Sequence, residues 1–140
     1  MGVGYKADSI YRLGWAKMNE LELRKIAAAW IEVHRCSEDE NGENFWAFIK
    51  LAELCDSEPE VCWKVIHLIR QLDGSDKILA NLAAGPLEDL LVRHGSDFID
   101  RVEALAEHDR QFKRLLGAVW QRDMPNNIWK RVKAVAGPSW

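Results

Sequence analysis

Threonine is absent from this 140-residue chain, and tyrosine occurs only twice. Residues that favour strands are therefore scarce, while leucine and alanine each occur fifteen times. Composition points to helices. Cysteine is also sparse. Cys36, Cys55 and Cys62 make an odd set, too thin for a disulfide framework, and Cys62 reads as a small apolar core residue. No stretch of eighteen apolar residues could span a bilayer, and no apolar signal-like run follows Met1. Lys6 stands where a myristoylation signal wants serine or threonine. The expected compartment is the cytoplasm, with no membrane partner.

Motifs that carry chemistry are missing as well. There is no glycine-rich phosphate loop, nucleophile elbow or His-Glu-x-x-His. His34 and Cys36, Cys55 and Cys62, and Cys62 and His67 lack the ligand spacing of a zinc module. The neighbours Glu88 and Asp89 would point in different directions on a helix. They read as charge in a first turn, favourable to the helix dipole. No catalytic residue, metal ligand or cofactor is expected, and the chain reads as a non-enzyme.

What is present is punctuation. In Leu82-Ala83-Ala84-Gly85-Pro86-Leu87-Glu88-Asp89-Leu90-Leu91-Val92-Arg93-His94-Gly95, Gly85 suits a left-handed helix stop and Pro86 the first turn of the next helix. Gly95 then suits a second stop, with Ser96 as the following cap. Earlier, Asn19 and Glu22 form a capping-box variant ahead of Leu23, Ile26, Ala27, Trp30 and His34, a helix to about Arg35. Asn44 is placed to cap a helix whose apolar residues are Phe45, Phe48, Ile49, Ala52 and Leu54. Ser57-Glu58-Pro59-Glu60 reads as another capping box. The helix after it, Val61 to about Leu72, is apolar over most of its circumference and should sit centrally, so that Ile66→Ala would cost about 2–5 kcal/mol. Further helices are expected over 76–84, 86–94, 97–107, 110–120 and 127–136, with Ser75 and Asp109 as caps. Short connections make sequential helices antiparallel neighbours. The fold class is all-α: a single domain over 1–140, six to eight helices in antiparallel pairs, compatible with repeat-like stacking. Residues 1–18 read as a loose arm or short helix and 36–44 as an acidic loop.

Three stretches together carry a likeness: Val61-Cys62-Trp63-Lys64-Val65-Ile66, Leu82 through Leu91, and His94-Gly95 with Ile99-Asp100-Arg101-Val102-Glu103. Phe112, Arg114, Leu115, Leu116, Gly117, Val119, Trp120, Ile128, Trp129, Arg131 and Val132 extend it. The chain resembles, over about residues 45–136, an uncharacterised all-helical domain of bacterial proteins. The resemblance implies a helical fold and no established chemistry. Partner specificity is then expected in the unlike part before residue 45.

Charge is unevenly spread. Residues 36–60 hold one basic and eight acidic residues, a net −7, whereas 101–140 hold eight basic and four acidic, a net +4. Seven tryptophans suit cores and interfaces equally. The favoured function is a non-catalytic binding module for a protein partner, in its most concrete form an immunity or antitoxin protein facing a basic toxin. Glu38, Asp39, Glu40 and Glu43 would steer that partner and Trp46 would anchor it. Ordinary solvated surface is the competing account of the same charges. A general adaptor or scaffold fits as well. A nucleic-acid role would use Arg110, Lys113, Arg114, Arg122, Lys130, Arg131 and Lys133 with Trp120 and Trp129, although the overall charge of −3 weighs against a polyanion. In that region Trp120 and Trp129 also fit apolar stripes facing the core.

Overall fold

The protein, seen in a computed structural model, is described over residues 18–36 and 42–140. It is all-α, with no strand among the described residues. The helices are α1 (Glu20–Arg35), α2 (Phe45–Ser57), α3 (Pro59–Leu72), α4 (Asp76–Leu82), α5 (Glu88–His108), α6 (Arg110–Leu116) and α7 (Asn126–Val135). A π-helical turn, Ala83–Leu87, joins α4 to α5 without a break.

Helix starts follow local chemistry in several places. At α1 the Asn19 side chain accepts from Glu22 N–H at 2.8 Å and the Glu22 carboxylate reaches back to Asn19 N–H, so the capping box is complete. Ser75 and Asp109 cap α4 and α6 through Ile78 and Phe112 N–H. Other starts differ from the pattern. Asn44 makes no side-chain cap bond. Ser57 does not cap α3 either: its hydroxyl donates to Glu53 C=O at the end of α2, and Glu58 stands at the cap with Pro59 in the first turn.

The largest departure lies at Gly85-Pro86. No described glycine has positive φ, and the helix runs on through both residues. A proline inside an α-helix removes a donor and presses on the carbonyl four residues back. Here the turn widens, and Glu88 N–H bonds Ala83 C=O five residues earlier. Proline is absorbed rather than used as a start. At the second expected break only His94 leaves helical geometry, at φ −132° and ψ 24°, so α5 kinks instead of ending. Gly95 serves packing between helices. A Cβ there would sit 3.0 Å from Ile128 Cγ2, so its lack of a side chain lets α7 lie close against α5.

One continuous core draws on all seven helices, with Trp30, Phe98 and Phe112 its bulkiest members. Helix α3 touches α1, α2, α4 and α5, and Val65, Ile66 and Ile69 are wholly buried, which makes it the central helix. Cys55 and Cys62 are bonded to each other where α2 meets α3, their Cα atoms 5.0 Å apart. That corrects the reading of Cys62 as a lone apolar filler. The one-residue link between the two helices brings positions seven apart together, which spacing alone does not reveal.

Candidate functional site

Helix α2 presents an unusual face. Ala47, Leu51, Leu54 and Cys55 turn inward, while Phe45, Trp46, Phe48 and Ile49 are 46 %, 50 %, 39 % and 46 % exposed. Of the expected apolar set Phe45, Phe48, Ile49, Ala52 and Leu54, only Leu54 is buried, and the other four form the outer side. The helix is apolar at nearly every position from Phe45 to Leu54, so periodicity leaves its phase open. Phe45 stacks on Phe48 at 5.2 Å between centroids, and Phe48 leans toward His34, whose Nδ1 lies 3.0 Å from Trp30 C=O. Glu43 and Trp46 are both exposed at this end of α2. Glu38, Asp39 and Glu40 lie outside the described residues.

A second feature went unread in the sequence. Glu88, taken there as a charge in the first turn of a helix, has a side chain only 3 % exposed. The continuous helix through the π turn carries it inward instead of leaving it at a free terminus. Its Oε1 is buried without a hydrogen bond, and the nearest cation, Arg122 Nε, stands 3.5 Å away. Burial pushes the Glu88 carboxyl above its ordinary range against the pull of Arg122, and the neighbouring Asp89 is raised for the same reason. Around Glu88 lies a recess of about 350 Å³ lined by Ala84, Trp120 and Arg122. Trp120, expected in an apolar stripe, is 72 % exposed. Arg122 is the one described non-glycine residue in the left-handed region, at φ 45°.

Three of the seven basic residues named for the C-terminal face are paired with acids. Arg131 holds Asp100 and Glu103 at 2.6 Å, Arg114 pairs with Asp76 at 2.9 Å, and Arg122 leans on Glu88. These contacts tie α7 to α5 and α6 to α4, and they offset three of the charges that a polyanion would meet. On α3 the narrow polar stripe of Lys64, His67 and Gln71 divides: Lys64 and Gln71 stay exposed, whereas His67 is half-buried beside Arg70. Buried Arg70 donates to His67 Nδ1 and to Gln111 and pairs with Asp109 at 2.9 Å. Burial, aided by the Arg70 charge, pushes the His67 ring down to about 4, so it is neutral near pH 7. Among the described residues no group of three histidine, cysteine or acidic side chains is placed to hold a metal ion.

A model of a family of unknown function, DUF6869, matches residues 34–139. The chain belongs to that family. The DUF6869 match begins at His34, earlier than the boundary expected near residue 45, and therefore takes in the acidic segment as well as Trp46, Glu88, Trp120 and Arg122. Helix α1 lies almost wholly before it. No curated protein and no solved structure matches the chain.

Proposed function

We propose that this DUF6869 protein is a non-catalytic protein-binding module whose working face is the outer side of α2. The observation that carries the reading is the run of four large apolar side chains, Phe45, Trp46, Phe48 and Ile49, left open on consecutive turns of one helix. Contiguous apolar surface of this kind marks interaction sites. The flanking sequence supplies sign: 36–60 carries a net −7, so the partner is basic around an apolar anchor pocket. In its concrete form the module is a bacterial cytoplasmic immunity or antitoxin protein that covers a basic toxin; a scaffold role uses the same face. The nucleic-acid alternative is weakened by the ion pairs of Arg114, Arg122 and Arg131.

The test begins with a photo-crosslinking residue at position 46 in the native host, followed by purification of the captured partner and measured association. Trp46→Ala should weaken binding by about tenfold or more, as expected for a central aromatic anchor. Glu43→Gln should slow association and flatten its salt dependence. Affinity within about twofold of wild type for Trp46→Ala would remove α2 as the working face.

A further inference from the structure

The Glu88 recess has the construction of a site rather than of a structural ion pair. Elsewhere this chain builds arginine–carboxylate forks well: Arg101 grips Glu60 at 2.8 and 2.6 Å, and Arg131 grips Glu103 at 2.8 and 2.6 Å. Those carboxylates are more open to water than Glu88, yet they are fully partnered. The carboxylate that needs a partner most has one ion contact, Arg122 Nε at 3.5 Å from Oε1, and that contact does not make a hydrogen bond. Buried polar atoms in folded proteins are nearly always hydrogen-bonded, so an orphaned one on a residue that lines a recess points to a missing donor. Arg122, with a side chain 65 % exposed, reaches it only from the rim.

The other wall narrows the class of that donor. Trp120 leaves most of its indole bare beside the carboxylate. An aromatic face next to a buried acid suits a cation that is flat, weakly hydrated and able to donate two parallel hydrogen bonds. A guanidinium meets all three conditions better than an ammonium does. The recess, about 350 Å³, lies at the small end of ligand pockets and fits one side chain better than a nucleotide. The turn that presents both Trp120 and Arg122 is held from within, since Gln121 Nε2 donates to Met124 C=O at 3.2 Å and to Asn126 Oδ1 at 2.6 Å. The cost of the left-handed Arg122 backbone is borne by a braced turn, a common arrangement at binding sites.

We infer that the recess formed by Ala84, Glu88, Trp120 and Arg122 binds an arginine side chain of a partner polypeptide. The incoming guanidinium stacks on Trp120 and donates to the Glu88 carboxylate, and Arg122 swings outward to make room. None of the α2 aromatic residues lines this recess, so the inference stands apart from the α2 reading.

The probe is N-acetyl-arginine methylamide, a single side chain without terminal charges, titrated into the full chain. The Trp120 indole N–H is followed by NMR, its signal assigned through Trp120→Phe. A saturable shift with a roughly millimolar Kd is expected. Glu88→Gln should weaken binding at least about tenfold, and Arg122→Gln should tighten it by about threefold because the incumbent cation is gone. N-acetyl-lysine methylamide should bind more weakly than the arginine compound. No saturable shift, or an unchanged Kd in Glu88→Gln, overturns the inference. Weaker binding in Arg122→Gln, or preference for N-acetyl-glutamate methylamide, overturns it in favour of an anion site. Should Glu88→Gln fail to fold, Trp120→Ala decides, followed by calorimetry. That surface residue can be truncated without touching the core, and binding should vanish if the inference holds and persist if it does not.

Discussion

Among single residues, His67 shows how burial turns a surface-looking position into a determinant of stability. On sequence it belongs to a polar stripe with Lys64 and Gln71. In the fold its ring meets Trp63 edge-on at 4.3 Å and accepts from Arg70 at 2.9 Å. Burial and the Arg70 charge depress its pKa from 6.5 to about 4, while Asp109 pulls the other way. Between those two values the unfolded chain binds a proton that the folded chain refuses, so stability falls as pH is lowered from about 6.5 to about 4. The loss should be on the order of 2 kcal/mol, less than the full shift implies because the ring is only partly buried. Urea denaturation at several pH values should show this slope, and His67→Gln should flatten it. Glu60 and Glu103 are held below the usual carboxylate range by Arg101 and Arg131, and Asp73 and Asp109 are held down first by hydrogen bonds from Ser75 and from Phe112 N–H. All four lose their contributions only as pH falls into the carboxylate range, so the upper part of the slope belongs to His67. Glu88 teaches the same lesson. Nothing in Pro-Leu-Glu-Asp-Leu-Leu distinguishes an inward acid from an outward one until the helix phase is known.

At the scale of elements, the punctuation marks were legible but their grammar was not. Gly85-Pro86 and His94-Gly95 do mark the two irregular places in the long helical run from Asp76 to His108. Their physical uses differ from a stop and a start. Gly85 sits in helical backbone, and a Cβ there would meet nothing within 4 Å. Gly85→Ala should therefore stabilise the protein by about 0.5–1 kcal/mol, through the lower backbone entropy of the unfolded chain. A left-handed cap at Gly85 would have required the opposite sign. Gly95→Ala should destabilise by about 1–3 kcal/mol, because its methyl would press on Ile128 in a packed contact between α5 and α7. Chemical denaturation of the two variants side by side checks both signs. The capping box of α1 and the caps at Ser75 and Asp109 were readable because they are made by neighbours in sequence. The exposed side of α2 was not, since an all-round apolar helix takes its orientation from whatever packs beside it.

For the whole molecule, the bond between Cys55 and Cys62 links fold to surroundings. Both sulfurs are buried, and Cys55 Sγ lies 3.6 Å from Pro86 C=O beneath the π turn. A reducing cytoplasm keeps such pairs as thiols, whereas an oxidising compartment closes them. Cells lysed into alkylating agent, followed by mass spectrometry, should yield both cysteines alkylated if the proposed cytoplasmic setting holds. Recovery of the intact bridge would place the protein in an oxidising compartment. In vitro, reducing the oxidised protein should cost about 2–3 kcal/mol by the loop-entropy account.

Composition and local pattern were enough to establish an all-helical chain with a central helix at Pro59–Leu72, because helix propensity, caps and an apolar surround are properties of residues within a few positions of one another. Tertiary structure alone decided that Glu88 turns inward, that Trp120 stays out, that Cys55 meets Cys62 and that α2 leaves four apolar residues uncovered. Each of those outcomes depends on which neighbouring helix occupies which side. That choice is made by burial of the whole core at once, and no single segment carries it.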